Sequence, residues 1–439
     1  MPLEMLQKIT ASLNDATAVR AIGRVAKIAG AHINVVGLPR TTKQGDGVLI
    51  KGEGVERFGE IIAITNEGAD VLIDGSTDGI AIETIVYLCG SRRFAPDHSW
   101  IGRVIDPEGQ PLDGRPLLPG TTNVSIWQNP PDPHERRGFG ARLETGYAVL
   151  NTLLPIVRGQ RIGLFAGSGV GKSTLIGELS RSIDADIIVI ALVGERGREL
   201  RHFVEEVLGP EGMSRTIVVA ATSDRAPQVR RRCAWAATSV AEYFRDQGHQ
   251  VLLLCDSVTR FCEAHREVAS HAGEASNLRG FPASTAGTVA SLCERSGPGS
   301  GEMGDITAIY TVLVAGSDME EPVADMLRGV LDGHVILDRQ IAERGRFPAI
   351  DVLRSVSRSL PAAATRSENA ILQRARSYLG AYQNVELMIQ AGLYESGSDP
   401  QTDAAIKIHD ELEKYMAIKD KRSITAHFTA LSSLIEKAS

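Results

Sequence analysis

The segment Arg161-Ile-Gly-Leu-Phe-Ala-Gly-Ser-Gly-Val-Gly-Lys-Ser-Thr174 leads from an apolar run into a glycine-rich loop ending in Lys-Ser-Thr. Its glycines allow successive backbone N–H groups to curl around phosphate groups, and a helix beginning near Ser173 adds its partial positive charge. Lys172 supplies a mobile cation for the β and γ phosphates, and the Ser173 hydroxyl is placed to ligate Mg²⁺. Ala166 stands where the strict motif has glycine, so the match is to the broader pattern.

This segment therefore predicts a strand, a phosphate-binding loop and a helix, and with them a nucleotide site. A glycine-rich turn with an incidental lysine is the alternative. The loop residues predicted to contact the nucleotide are Gly167, Ser168, Gly169, Val170, Gly171, Lys172, Ser173 and Thr174.

Length and composition predict a multidomain protein of ordinary globular type. At 439 residues the chain exceeds the size at which a single core stops growing, and 43% hydrophobic with 23% charged residues is typical of a globular protein. A net charge of −7 and only 5% aromatic residues argue against a general nucleic-acid binder. No apolar run reaches the roughly 18 residues of a membrane span, and the first twenty residues or so lack a signal-peptide core, so we expect a cytoplasmic protein.

The cysteines indicate neither disulfides nor zinc. Their number is five and no CxxC spacing occurs, so we expect reduced, buried thiols. They are Cys89, Cys233, Cys255, Cys262 and Cys293.

Patterning along the chain divides it into four parts. Apolar residues at helical spacing predict a short helix over 1–19, which could bind a separate partner. Short β-branched runs between turn residues predict a small β-barrel over 20–92. From 93 to 364, strands alternating with helices predict an α/β domain with a mainly parallel sheet, and 365–439 is helical in pattern. The candidate central strands are Ile162–Phe165, Ile187–Val193, Ile217–Ala221, Val251–Cys255 and Ile309–Ala315.

Two carboxylates follow predicted strands at the edge where parallel sheets bind ligands. Asp256 ends the run beginning at Val251 and suits a Walker B group that holds Mg²⁺ through water, or a helix cap. Glu195 follows the neighbouring strand and can polarise an attacking water as a general base. A glutamate flanked by arginines is also a common solvated ion pair.

Arginines are the candidates for stabilising the charge that develops on the γ-phosphate. Arg358 is the first candidate for an arginine finger that reaches a neighbouring subunit. Spacing alone does not separate it from Arg339, Arg344 or Arg354. The run Arg230-Arg-Arg232 opens an amphipathic helix, and we predict that it is solvated or faces another subunit.

These motifs together resemble the hexameric rotary-type ATPases, which include the subunits of ATP synthases. The run Pro348-Ala-Ile-Asp-Val-Leu-Arg-Ser-Val-Ser357 is similar to that superfamily's signature. Within the superfamily the chain is most similar to the type III secretion ATPases, and among them to the flagellar export type. The segments that carry this resemblance are Gly194–Glu199, Asp256–Phe261, Ala308–Val314, Glu321–Asp325, Leu331–His334 and Tyr394–Pro400.

The resemblance implies a RecA-like P-loop domain, an N-terminal β-barrel and a C-terminal helical domain, with ATP and Mg²⁺ as cofactors. It implies that Lys172 and Ser173 bind phosphate and metal, that Glu195 is the catalytic carboxylate and that Asp256 is the Walker B residue. The site and assembly roles that it further implies are Arg196 near the γ-phosphate, Arg358 as the finger in the next subunit's site, and Phe347 stacking on adenine. Asn151, where relatives have aspartate, and the loop Gly280–Ala283 depart from the family pattern.

The implied assembly is a homohexamer of a protein export apparatus. The implied partners are a stator-like regulator at the N-terminal helix, export gate and stalk proteins, and chaperone–substrate complexes at the C-terminal end. The implied location is cytoplasmic, peripheral to the inner membrane. Three alternatives stay open: a virulence-type secretion ATPase, a nucleic-acid motor resembling Rho, and a catalytically silent nucleotide-binding subunit, which Glu195 argues against.

Overall fold

The computed structural model of the chain describes residues 5–10, 19–52, 54–91, 94–277, 280–314 and 319–437. Its strands are β1 (Ile22–Ala29), β2 (His32–Val36), β3 (Gly47–Gly52), β4 (Val55–Thr65), β5 (Gly68–Ile73), β6 (Ile85–Gly90), β7 (Val104–Ile105), β8 (Arg161–Ala166), β9 (Ile187–Glu195), β10 (Thr216–Thr222), β11 (Val251–Asp256), β12 (Ser276–Asn277), β13 (Phe281–Pro282), β14 (Ile306–Leu313), β15 (Gly333–Leu337) and β16 (Ile350–Ser357).

The helices complete the set of elements. They are α1 (Ala148–Asn151), α2 (Lys172–Ser182), α3 (Gly197–His202), α4 (Gly209–Met213), α5 (Pro227–Arg245), α6 (Val258–His271), α7 (Ser284–Glu294), α8 (Pro322–Val330), α9 (Arg339–Glu343), α10 (Arg366–Gln390), α11 (Pro400–Met416) and α12 (Ile424–Glu436), with a 3₁₀ turn at His98–Trp100 and a π-helical turn at Phe203–Leu208.

The six strands β1–β6 close into a barrel in the order β1-β2-β5-β4-β3-β6. Neighbouring strands are antiparallel, and their inward-facing valines and isoleucines form a core of their own. Alternation of buried and exposed side chains along β1 and β2 is what a closed small barrel requires. The predicted N-terminal barrel is confirmed.

The central sheet has eight strands in the order β16-β15-β8-β14-β11-β9-β10-β7. All neighbouring pairs are parallel except β15 with β16. Strand β9 has eight consecutive buried residues, because helices cover both faces of the sheet. The five predicted central strands correspond to β8, β9, β10, β11 and β14, although β14 begins at Ile306 rather than Ile309.

Three helices, α10, α11 and α12, form the C-terminal part of the chain. Thr365 begins α10 with a reciprocal cap: its hydroxyl accepts from the Glu368 N–H while the Glu368 carboxylate accepts from the Thr365 N–H. Leucines of these helices belong to the same hydrophobic core as side chains of β8 and α2, so the helical part packs against the domain that carries the phosphate loop.

Asn151, which departs from the family pattern, lies buried between the P-loop domain and the C-terminal helices. Its Oδ1 accepts hydrogen bonds from the Thr145 N–H and hydroxyl at 2.9 and 2.8 Å. The amide nitrogen lies 3.0 Å from His427 Nδ1, and His427 Nε2 lies 3.0 Å from Asp420. Because the Asn151 oxygen is already an acceptor, its NH₂ group donates to His427, and asparagine satisfies every partner at this junction.

The prediction that Arg230-Arg-Arg232 opens a helix is confirmed, whereas the prediction that these arginines are solvated or face another subunit is wrong for Arg231 and Arg232. These residues belong to α5, and Arg232 is only 3% exposed, bonded to Glu60 of the barrel and to Glu108. Arg231 also pairs with Glu60 at 3.1 Å, and Arg230 pairs with Glu267 at 2.8 Å. Glu60 itself is buried, so the arginines neutralise a carboxylate that the barrel inserts between the two domains.

Other expectations are met in part. Four of the cysteines are buried, whereas Cys89 is exposed on β6. Residues 5–10 are helical, while most of the remaining predicted N-terminal helix lies outside the described residues. Among the helices that the structure describes, none has both the length and the apolar character of a membrane span.

Candidate active site

The loop between β8 and α2 has the conformation that phosphate binding requires. Gly169 and Gly171 have φ values of 78° and 88°, a left-handed conformation that favours glycine. A side chain at Gly167 would begin 3.6 Å from the carbonyl oxygen of Val314. Because α2 starts at Lys172, its unpaired first-turn N–H groups border this loop, and Ser173 and Thr174 are exposed there.

Lys172 and Asp256 form an ion pair across the ends of two strands. Asp256 is only 5% exposed and also accepts a 2.7 Å hydrogen bond from the Thr311 hydroxyl. Thr311 lies on β14, the neighbour of β11, and was not predicted as a site residue. Its signal in the sequence is a hydroxyl inside the otherwise apolar run Ile309–Val314.

Glu195 ends β9, which neighbours the strand that carries Asp256. Burial, and after it the negative charge of Asp256, raise the pKa of Glu195 to about 7. A hydrogen bond with Glu199 also contributes to this raised pKa, and the charge of Lys172 opposes it. A carboxylate with this pKa can take a proton from water near neutral pH, which is what a general base needs.

Arg196 does not join the buried part of the site. Its exposed guanidinium lies 3.5 Å from Glu199, one turn along α3. Phe347, in contrast, borders the phosphate loop: a side chain at Gly171 would begin 3.5 Å from its ring. The ring is 53% exposed and therefore free to pack against a planar group.

Arg358 and the phosphate loop of the same chain lie at opposite ends of the strands. The loop follows the carboxyl ends of the parallel strands, and Arg358 lies near their amino ends. Strand β16 runs antiparallel, so that Ser357 pairs with Gly333 at the start of β15, whereas Leu337 at its end pairs with Ala166. Four residues of strand separate the two levels by about 13 Å. Arg358 therefore does not reach the phosphate loop that its own chain provides.

Arg339, Arg344 and Arg354, the other candidates for the arginine finger, lie on the same side of the sheet strands as the phosphate loop. They line a cleft of about 880 Å³ between Gly167 and the C-terminal helices. Each has an acidic partner there: Arg339 with Glu343 at 2.9 Å, Arg344 with Glu386 at 2.8 Å, and Arg354 with Asp338 at 3.4 Å.

The oxygen atoms beside the phosphate loop suit a magnesium ion that binds together with a nucleotide. Within the described part of the chain no group of three or more histidine, cysteine or acidic side chains could hold a metal ion by itself. Mg²⁺ in phosphate sites takes one or two protein oxygens and fills its octahedron with water and phosphate. The Ser173 hydroxyl and the Asp256 carboxylate provide such a pair, and Lys172 now occupies the carboxylate.

Comparison with known proteins places the chain among ATPases of two related export systems. Residues 146–357 match the nucleotide-binding domain of the ATP synthase alpha/beta family, and residues 364–432 match the C-terminal domain of the EscN ATPase of type III secretion. The flagellum-specific ATP synthase of Caulobacter vibrioides is 38% identical over 96% of each chain. The type 3 secretion system ATPase of Xanthomonas euvesicatoria is 40% identical over 91% of this chain and 88% of its own.

A solved structure of an assembled relative has the same fold. It is the ATPase EscN of enteropathogenic E. coli in complex with its central stalk EscO, with a TM-score of 0.85, 37% identity and coverage of 94% of this chain and 100% of the other.

Proposed function

The chain belongs to the ATP synthase alpha/beta family, in the group of flagellum-specific and type III secretion ATPases, and is an ATPase; we propose that it hydrolyses Mg-ATP at sites shared between the subunits of a homohexamer to drive protein export. The observation that carries this proposal is the position of Arg358, about 13 Å along the strands from the phosphate loop of its own chain.

Four groups of the chain hold the substrate in this proposal. Residues 167–174 surround the phosphates with backbone N–H groups, and Lys172 moves from Asp256 to the β and γ phosphates. Ser173 and Asp256 would hold Mg²⁺, Ser173 directly and Asp256 through water. The ion would supply positive charge to the phosphate groups of the nucleotide.

Glu195 orients the attacking water and accepts its proton. Its position at the end of β9, beside the strand of Asp256, supports this role. Arg196 lies at the start of α3, from which its mobile side chain swings toward the γ-phosphate when nucleotide binds. Phe347 packs against adenine, since its ring already lies beside Gly171.

Arg358 completes the site of the neighbouring subunit. A guanidinium there stabilises the charge on the γ-phosphate as water attacks its phosphorus and the bond to the leaving ADP oxygen breaks. Each chain has its phosphate loop at one end of the sheet strands and Arg358 at the other. In a closed ring, every nucleotide site therefore has a phosphate loop from one subunit and an arginine finger from its neighbour. The assembled form of EscN supports this arrangement.

The export role and the partners extend the same proposal. A stalk protein binds the ring, as EscO binds EscN, and the C-terminal helices receive export gate components and chaperone–substrate complexes. The N-terminal helical residues present Met5, Leu6 and Ile9 to solvent while Lys8 is fixed to Asp97 at 2.7 Å, which leaves an apolar face for a regulatory partner. The ring works in the cytoplasm, held at the inner membrane by its partners, in a flagellar export apparatus.

The test is the ATPase rate as a function of protein concentration, with light scattering on the same samples. We expect the rate per chain to rise steeply as hexamers form, because only the ring contains complete sites. A constant rate from monomers would overturn the shared-site proposal. Export itself is tested by restoring motility to a strain that lacks its own flagellar ATPase; restoration of effector secretion alone would assign the chain to a virulence-type system.

A further inference from the structure

The guanidinium of Arg358 is held by the last turn of α8. Arg358 Nη2 donates a 3.0 Å hydrogen bond to the backbone carbonyl of Arg328, and the Arg358 N–H donates to the carbonyl of Asp332 at 3.0 Å. Both the backbone and the side chain of Arg358 are thus anchored to the short segment 328–332.

The carbonyl of Arg328 is well suited to hold a cation. It belongs to the final turn of α8, where carbonyl groups lack partners within the helix. The next N–H groups point elsewhere, because Leu331 donates to Leu327 and Asp332 donates to Arg161, each at 2.9 Å. The negative end of the helix dipole adds to the attraction for the Arg358 guanidinium.

The side chain of Arg328 fastens this same turn to the chain that precedes α8. Its Nη1 donates to the Met319 carbonyl at 3.2 Å and to Glu320 Oε1 at 3.4 Å. Arg328 therefore runs back along the helix and ties its last turn to the residues before its first. When the side chain is removed, the turn that carries the Arg358 acceptor loses this tie.

We infer that Arg328 is a positioning residue for the reaction: it fixes the carbonyl that aims Arg358 at the neighbouring subunit's site. The inference rests on the proposed function, in which Arg358 acts in trans. Arg328 itself touches neither nucleotide nor metal in this arrangement.

The single variants separate positioning from structural damage. Arg328→Ala should lower kcat about tenfold, because small misplacement of a catalytic group is costly. It should leave the KM for Mg-ATP and the hexamer midpoint unchanged, since the phosphate loop is intact. Arg328→Lys keeps a donor near Met319 and should recover part of the rate. Arg24→Ala, which removes an exposed arginine from its 3.7 Å pair with Glu83, is the matched control and should behave as wild type.

Mixed rings then show through which residue Arg328 acts. Chains carrying Lys172→Ala keep a finger but no working site, and chains carrying Arg358→Ala keep a site but no finger, so rings mixed from the two should regain activity. Adding Arg328→Ala to the Lys172→Ala chain should lower the regained rate about tenfold. Adding it instead to the Arg358→Ala chain should change nothing, because that chain has no finger to position.

The mixed-ring results test the shared-site proposal and the role of Arg328 separately. Failure of the Lys172→Ala and Arg358→Ala chains to complement each other, with mixed rings confirmed by co-purification through an affinity tag on one of the two chains, would overturn the finger in trans and with it the shared-site proposal. Complementation in which Arg328→Ala costs the same in either chain, or costs nothing in both, would overturn the role of Arg328 alone.

Discussion

Lys172 and Asp256, 84 positions apart in sequence, form an ion pair at the carboxyl edge of the central sheet. Their side chains are 13% and 7% exposed, so each charge depends on the other when no phosphate is present. The pair keeps the two groups beside each other and beside Thr311. In the proposed reaction, nucleotide binding separates the two groups, so that Lys172 exchanges the Asp256 carboxylate for a phosphate.

Removing one member of this pair should destabilise the empty protein. Lys172→Ala leaves the Asp256 carboxylate buried with only Thr311 as a partner, and we expect the free energy of unfolding to fall by about 2 kcal/mol. Asp256→Asn should cost less, because the lysine can extend to solvent and the amide can still accept from Thr311. Urea unfolding without nucleotide measures both. Additive losses in the double variant would contradict a direct pair.

Glu195→Gln should abolish turnover while nucleotide binding persists. The amide keeps the size of the side chain but cannot take a proton from water, so we expect kcat to fall about 10³-fold. Affinity for a fluorescent ATP analogue should stay within about twofold, because Glu195 acts on water rather than on the phosphates. Glu205→Gln, on an exposed pair with Arg201 at 2.9 Å, serves as the control. A wild-type rate for Glu195→Gln would remove Glu195 from the mechanism.

The pH dependence of kcat/KM should have an acidic limb near neutrality. The pKa of Glu195 is raised to about 7, and only its ionised form can accept a proton. The rate should therefore rise with pH, reach half its plateau near pH 7 and fall about tenfold per unit well below it. Steady-state kinetics between pH 5.5 and 8.5 on assembled rings test this, with light scattering at each pH. A flat profile would assign the base elsewhere.

Arg358→Ala should slow hydrolysis about 10³-fold and leave ring formation intact. The loss follows from the missing charge at the γ-phosphate of the next subunit. Arg339, Arg344 and Arg354 line the cleft beside the chain's own phosphate loop. Alanine variants at these three positions should lower kcat far less than Arg358→Ala. If one of these three gave the larger loss in kcat, the finger would have to be reassigned to it.

Glu60→Gln should weaken the junction between the barrel and the P-loop domain. Glu60 is the shared partner of Arg231 and Arg232, and the change leaves their buried positive charge without the carboxylate that pairs with both of them. We expect the free energy of unfolding to fall by about 3 kcal/mol. Glu56 lies on β4, as Glu60 does, and forms an exposed pair with Lys51 of β3; Glu56→Gln is therefore the matched control and should stay within about 0.5 kcal/mol of wild type. Thermal unfolding of both variants measures the two losses, and equal losses would contradict the role of Glu60 at the junction.

Much of the fold could be predicted from local pattern. The apolar runs of β9 and β11 mark strands covered on both faces, and the alternating runs of the barrel mark strands exposed on one face. Strand β16 was missed because it is the edge strand of the sheet and alternates between buried and exposed residues, and β15 was missed because it has only five residues. The two-residue β7 is too short to leave a pattern.

The site residues that could be predicted from the sequence are those that a local motif or a strand end identifies. The phosphate loop and the carboxylates at strand ends follow from local rules about parallel sheets. Pairings between distant segments do not, and Thr311 beside Asp256 and Glu60 beside Arg232 are examples. The location of Arg358 depends on the antiparallel pairing of β15 and β16, which the spacing of the arginines did not reveal.

The barrel's buried carboxylate has a practical consequence for anyone who works with fragments of this chain. A truncated protein that begins after residue 92 would lack Glu60 and would leave Arg231 with no acidic partner and Arg232 with Glu108 alone. Such a fragment would expose the Arg231 guanidinium beside Arg230, which keeps Glu267, and Arg232, and this local positive charge would attract polyanions such as RNA, DNA and heparin. Polyanion affinity in a fragment of this kind would reflect the cut rather than the native protein.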